Sequence, residues 1–112
     1  MVKLLAGLTL CMGLAATAAA QDAKAVAKGQ KLFADQKCSL CHSIGDKGNK
    51  KGPLDGVASK LSAAEVHEWI VDATSMAAKA KATRKPPMKS YATLPKDDVD
   101  ALVAYLMTLK KK

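Results

Sequence analysis

The stretch Cys38-Ser39-Leu40-Cys41-His42 decides how this chain is read. Two thiols separated by two residues fall on the same side of one helical turn, and an imidazole follows the second thiol directly. C-x-x-C-H is the arrangement by which a c-type haem is attached. Both thiols add across the two vinyl groups along one porphyrin edge, and His42 turns its ring toward the iron. Other uses of the pair ask for more than the chain offers. A Cys38–Cys41 disulfide would close a very small loop and stabilise little. A thioredoxin-like redox pair needs a preceding strand and a βαβ setting, and neither is visible. A zinc site needs a fourth soft ligand, for which only His67 is left.

Composition leads to the same place. The chain has 112 residues, 49% of them hydrophobic but only 4% aromatic. Phe33, Trp69, Tyr91 and Tyr105 are its only rings besides the two histidines. So small a domain keeps much of its surface wet and gains from a non-protein group at its centre. The length excludes a large multi-domain enzyme, and three cysteines exclude a disulfide-rich scaffold.

Residues 1–20 read as an export signal. Lys3 gives the positive start, Leu4–Leu14 the apolar run, and Ala18-Ala19-Ala20 a small-residue cleavage site before Gln21. An uncleaved anchor is the other reading of the uncharged stretch Leu4–Ala20. Cleavage removes Lys3 and Cys11, leaving residues 21–112 as one domain with Cys38 and Cys41 as its thiols. Export implies an oxidising compartment, the bacterial periplasm, and no further apolar span follows.

Apolar periodicity predicts an all-α fold with three main helices and short turns around one haem. Val26, Gly29, Leu32 and Phe33 lie at helical spacing in Asp22–Asp35. Gly29 is costly inside a helix, by about 1 kcal/mol against alanine, and such a glycine marks the close approach of another helix. Ser43–Val57, with four glycines and Pro53, reads as loop. Ser62 and Glu65 form a capping box opening a second helix. Its stripe is Val66, Trp69, Ile70 and Ala73, decaying near Thr74–Ser75 into a short turn through Met76. Pro86-Pro87 keeps Ala80–Leu94 irregular. A last helix starts near Pro95, with Val99, Leu102, Val103, Leu106 and Leu109 on its apolar face. Its acidic start at Asp97, Asp98 and Asp100 and its basic end at Lys110–Lys112 suit the helix dipole.

An iron held by one histidine needs a sixth ligand or leaves an open position. Met107 beside Leu106, and Met76 after the second stripe, read as core. His67 lies one position off its helix's apolar stripe. Met88 is the expected ligand, because two prolines before it restrict the loop and lower the entropy cost of presenting its side chain. A thioether opposite a histidine raises the reduction potential. With both axial positions filled by the protein, the chain is an electron carrier rather than an enzyme.

Over nearly all of residues 22–110 the chain resembles the small class I c-type cytochromes. Gly29 and Phe33 are similar to that family's G-x-x-x-F/Y pair, where the first helix crosses the last, and Val103-Ala104-Tyr105-Leu106 resembles the matching segment. Trp69-Ile70-Val71-Asp72, followed by Met88 and Tyr91, resembles the stretch leading to the axial methionine. Gly52-Pro53-Leu54 resembles the loop whose proline carbonyl accepts a hydrogen bond from the proximal imidazole. The resemblance thus implies that Pro53 holds His42 and that Leu54 covers the haem.

Lys47, Lys50 and Lys51 flank the glycine loop, and Lys79, Lys81, Arg84, Lys85 and Lys89 flank Met88. With a formal charge of +8, these cations are expected to steer the protein toward acidic patches on redox partners. Export argues against nucleic acid as the partner. The expected protein is a soluble periplasmic monomer with one covalent haem c. It would take electrons from a quinol-oxidising complex or a dehydrogenase and pass them to an oxidase. A haem enzyme or gas sensor with a displaceable sixth ligand, and a fixed subunit of a dehydrogenase complex, are the alternatives.

Overall fold

Helix α1 (Met12–Asp35) and helix α5 (Lys96–Leu106) cross at Gly29. A β-carbon at Gly29 would run into the Ala101 carbonyl and lie 2.7 Å from Cβ of Tyr105, so only glycine permits this approach. Phe33 of α1 meets Tyr105 of α5 edge to face, 5.9 Å between ring centroids. Lys28 and Asp98 add an ion pair at 3.0 Å. The computed structural model describes the backbone of residues 12–111 and side chains from residue 22 onward. Residues 1–11 of the expected export signal lie outside the described residues, and residues 12–20 form the helical start of α1. The contacts described at the crossing, from Lys28, Gly29 and Phe33, lie beyond Gln21, before which cleavage is expected.

Two elements carry the chain across the middle. The capping box at helix α3 (Ala63–Val71) forms as its residues predict: the Glu65 N–H donates to Ser62 Oγ at 3.1 Å, and the Ser62 N–H donates to Glu65 Oε1 at 3.0 Å. Val66 and Ile70 of α3 are buried with Val99, Leu102 and Leu106 of α5, and these five make the core. Burial of each such side chain is worth about 1.5–3 kcal/mol.

After α3 the structure departs from expectation. The predicted short turn through Met76 is a helix of eight residues, α4 (Ala73–Ala80). Asp72 makes the difference, since it closes α3 through its N–H to the Glu68 carbonyl at 2.8 Å. The same residue opens α4 by accepting from the Ser75 N–H at 3.3 Å. Residues 82–94 are irregular, as the prolines require.

The end of α5 also differs. The helix stops at Leu106, and Leu109–Lys111 do not extend it. Thr108 Oγ1 donates to the Tyr105 carbonyl at 2.6 Å, and the tail turns away to a short helix, α2 (Val57–Lys60). There the Leu109 carbonyl accepts from the Ala58 N–H at 3.0 Å, and the Lys111 N–H donates to Ser59 Oγ at 2.8 Å. Bonds to α2 replace the expected basic helix end.

Strands appear where only loop was expected. β1 (Ser43–Ile44) pairs antiparallel with β2 (Lys47–Gly48), turning through Gly45. Two residues per strand leave no alternation for a sequence to display. The class remains all-α. Among the described residues no helix is long and apolar enough to cross a membrane.

Candidate functional site

Helix α1 ends just before the cysteine pair, and Lys37 reverses the chain in the left-handed region (φ 58°). Cys38–Leu40 then form one 3-10 turn whose Cys38 carbonyl accepts from the N–H groups of Cys41 at 3.2 Å and His42 at 2.9 Å. Cys38, Cys41 and His42 are therefore fixed by one tight turn, as their spacing requires. Leu40 between them is 68% exposed and gives the turn an apolar tip. Asn49 braces it from the loop side, its N–H donating to the Ser39 carbonyl and its Nδ2 to the Leu40 carbonyl, each at 3.1 Å.

His42 Nδ1 lies 3.0 Å from the Gly52 carbonyl oxygen. A carbonyl only accepts, so Nδ1 carries the proton and Nε2 keeps its lone pair. Burial holds the imidazole below its ordinary pKa; the Gly52 bond opposes that shift and the positive charge of Arg84 adds to it. A neutral ring with a free Nε2 is the form that binds a metal.

Gly52, not Pro53, is the imidazole's acceptor, which corrects the expectation drawn from resemblance. Residues 52–54 run parallel beside Ser43: the Ser43 N–H donates to the Gly52 carbonyl at 3.1 Å, and the Leu54 N–H donates to the Ser43 carbonyl at 2.8 Å. Pro53 has no N–H to give and lies exposed between these two bonds, outside the cavity walls. Gly52 is glycine for steric reasons, because a β-carbon there would strike the Cys41 carbonyl and the Arg84 guanidinium.

Beside this turn opens a cavity of about 110 Å³ with a wholly apolar lining. Its walls come from every part of the fold: Phe33 of α1, Cys38 and His42 of the turn, Leu54, Val66, Trp69 and Ile70 of α3, Met88 and Tyr91, and Leu102 and Leu106 of α5. A second cavity shares His42, Trp69 and Met88 with the first and adds Cys41, Arg84, Pro86 and Pro87. Trp69, expected in the buried stripe of its helix, is half-buried and serves both cavities as a wall. Burial pushes the Cys38 thiol up from its ordinary pKa.

The donors near the cavity sort themselves. Met88 lines both spaces with His42, whereas Met76 and Met107 line neither. Met107 packs against the core. His67 sits 3.5 Å from Glu68 on the outer side of α3, away from both cavities. Among the described residues no three His, Cys, Asp or Glu side chains converge as a metal cluster. The walls fit a haem instead. They offer an apolar slot, two thiols on one turn, an imidazole with its outer nitrogen free, and a thioether sharing the same walls.

Tyr91 ties the Met88 segment down. Its N–H donates to the Ile70 carbonyl at 2.7 Å, and its hydroxyl donates to the Gln36 carbonyl at 3.4 Å, joining three distant parts of the chain. The sequence named Tyr91 only by resemblance, and nothing in it foretold the anchoring bonds. Arg84, Gln36 and Leu61 likewise line the site without a local signal.

Comparison with known proteins bears on the same residues. The family model described as Cytochrome c matches residues 26–110. The chain is 27% identical over 92 residues to the protein named cytochrome c oxidase subunit 2 of Alkalihalophilus pseudofirmus. That alignment covers 74% of this chain but only 25% of the relative. No solved structure matches.

Proposed function

This chain belongs to the cytochrome c family, whose work is haem-based electron transfer; we propose that it is a soluble periplasmic carrier with one covalently attached haem c and His/Met ligation. The observation that carries this reading is the shared cavity wall of Cys38, His42 and Met88. When bound, the haem supplies a single iron that alternates between the ferric and ferrous states. Cys38 and Cys41 would hold it by thioether bonds, and His42, its ring fixed by Gly52, would ligate through Nε2. Met88 would supply the thioether ligand, and Leu54 lines the same cavity beside His42. The apolar walls keep water from the metal, which favours the less charged, reduced state.

Partner choice follows from the surface. Lys50 and Lys51 follow Asn49, which is bonded to the cysteine turn, and Lys85 and Lys89 flank Pro86–Met88. All four are exposed. Acidic docking patches on a donor and an acceptor fit this rim, and such contacts are small and transient. The similarity to part of an oxidase subunit supports an oxidase at the receiving end. It also favours a second reading, a fixed subunit of a larger redox complex. Co-purification with a larger partner at high salt would decide for that one.

The mass of periplasmically matured protein tests the main reading. One haem added to a polypeptide that begins at Gln21 is the expected result. A weak near-infrared sulfur-to-iron band should be present in the oxidised protein and absent from Met88→Ala. Prompt binding of carbon monoxide to the reduced protein at neutral pH would defeat the carrier reading in favour of an open-site enzyme or sensor.

A further inference from the structure

Arginine occurs once in this chain, at position 84, beside seventeen lysines. It is also the cation that reaches the site. Arg84 lines the second cavity with Cys41, His42 and Met88, while none of the lysines lines either cavity around His42. Its guanidinium lies so close over Gly52 that a β-carbon there would collide with it. A flat, weakly hydrated guanidinium can rest against bare backbone in this way; a strongly hydrated ammonium group would withdraw into water. Among the described residues no carboxylate pairs with it. The ion pairs among the described residues are Lys28–Asp98, His67–Glu68 and Lys96–Asp100.

We infer that Arg84 raises the reduction potential of this protein by holding an uncompensated positive charge against the Gly52 wall beside His42. The inference rests on the reading of His42 as an iron ligand. In the redox step one electron arrives from the donor protein, ferric iron becomes ferrous, and no bond or proton changes hands. The site's charge falls by one, so a neighbouring cation favours the reduced state. The lysines, which line neither cavity, contribute less, since charges in water are screened over about 8–10 Å at ordinary salt. Arg84 is exposed too, but its guanidinium lies against the Gly52 backbone at the cavity wall, where the lysines do not reach.

Redox titration of matured wild type, Arg84→Lys and Arg84→Gln tests this, with the sulfur-to-iron band recorded for each. At fixed applied potential, Arg84→Gln should lower the ratio of reduced to oxidised protein about fivefold, ~40 mV at 59 mV per tenfold. Arg84→Lys, which keeps the charge but not the flat seat, should fall less than half as far. The band should survive in both variants. An unchanged potential in Arg84→Gln would overturn the inference, as would equal losses in the lysine and glutamine variants. Loss of the band in Arg84→Gln would make Arg84 a clamp on the Met88 segment and also overturn it. Colourless wild-type protein would instead sink the haem reading itself, and this inference with it.

Discussion

The α1–α5 crossing and the Met88 segment are built by opposite means. At the crossing, backbone lies on backbone at Gly29 and Ala101, and the buried side chains of α5 lie behind it. Around Met88 the chain is irregular and mostly exposed, and Tyr91, three residues on, provides its ties to α3 and to the end of α1. The first region holds itself together through contacts within the polypeptide. The second is shaped to clasp something, and its walls gain their remaining contacts from what they hold. Stability and redox chemistry are therefore written in different parts of the molecule, and substitutions should separate them.

The largest effect is expected at the crossing. Gly29→Ala forces a methyl group into the Ala101 carbonyl. Overpacking of this kind costs about 1–3 kcal/mol, and the collision with backbone puts this site at the upper end. The gain in helix propensity returns about 1 kcal/mol, so the denaturant midpoint should show a net loss of about 2 kcal/mol. The visible spectrum should not change. A shifted spectrum would show that the two regions are coupled.

Gly52→Ala is the counterpart on the site side. Its methyl meets the movable end of Arg84 as well as the Cys41 carbonyl. Arg84 can swing clear but the Cys41 carbonyl cannot, so the loss should be similar, about 2 kcal/mol. Here the potential should fall as well, because the cation is displaced from its seat. An unchanged potential in Gly52→Ala would erase the contrast.

The smallest effect concerns Tyr91. Burial raises its hydroxyl above the ordinary tyrosine pKa, and the nearby Cys38 and Cys41 add to the shift as long as they can carry charge. Thioether sulfurs would carry none, leaving burial alone to act once a haem is attached. The unfolded chain then loses its tyrosine proton first, near pH 10. The stability due to this group is whole below that pH and is lost as pH rises through the higher folded value. Unfolding midpoints measured between pH 9 and 11 should fall less steeply in Tyr91→Phe than in wild type.

Legibility in the sequence followed the same divide. Gly29, the Ser62–Glu65 box and the Val66–Ile70 stripe could be read because each is a local pattern with one physical use. Cys38, Cys41 and His42 stand on one turn because their spacing leaves little else, and Met88 shares their cavity. What escaped was set by partners far along the chain. Asp72 gave no sign of breaking one helix and starting another, because the apolar stripe runs past it to Ala73. The tail after Leu106 was read as helix because its bonds to α2 bridge some fifty residues. The acceptor for His42 was placed one residue too late, since only the pairing beside Ser43 shows which carbonyl faces inward. Arg84 looked like one more surface cation until Gly52 was found beneath it.

The crossing of α1 with α5 also has a consequence for how the molecule comes into being. Leu102 and Leu106 belong to the last helix, yet they close a cleft that opens at Cys38. During synthesis the thiols emerge long before that wall does, and contacts so distant along a chain form late in folding. The newborn polypeptide thus passes through an interval in which its cysteine turn faces an unfinished, accessible groove, and arrival of the final helix ends it.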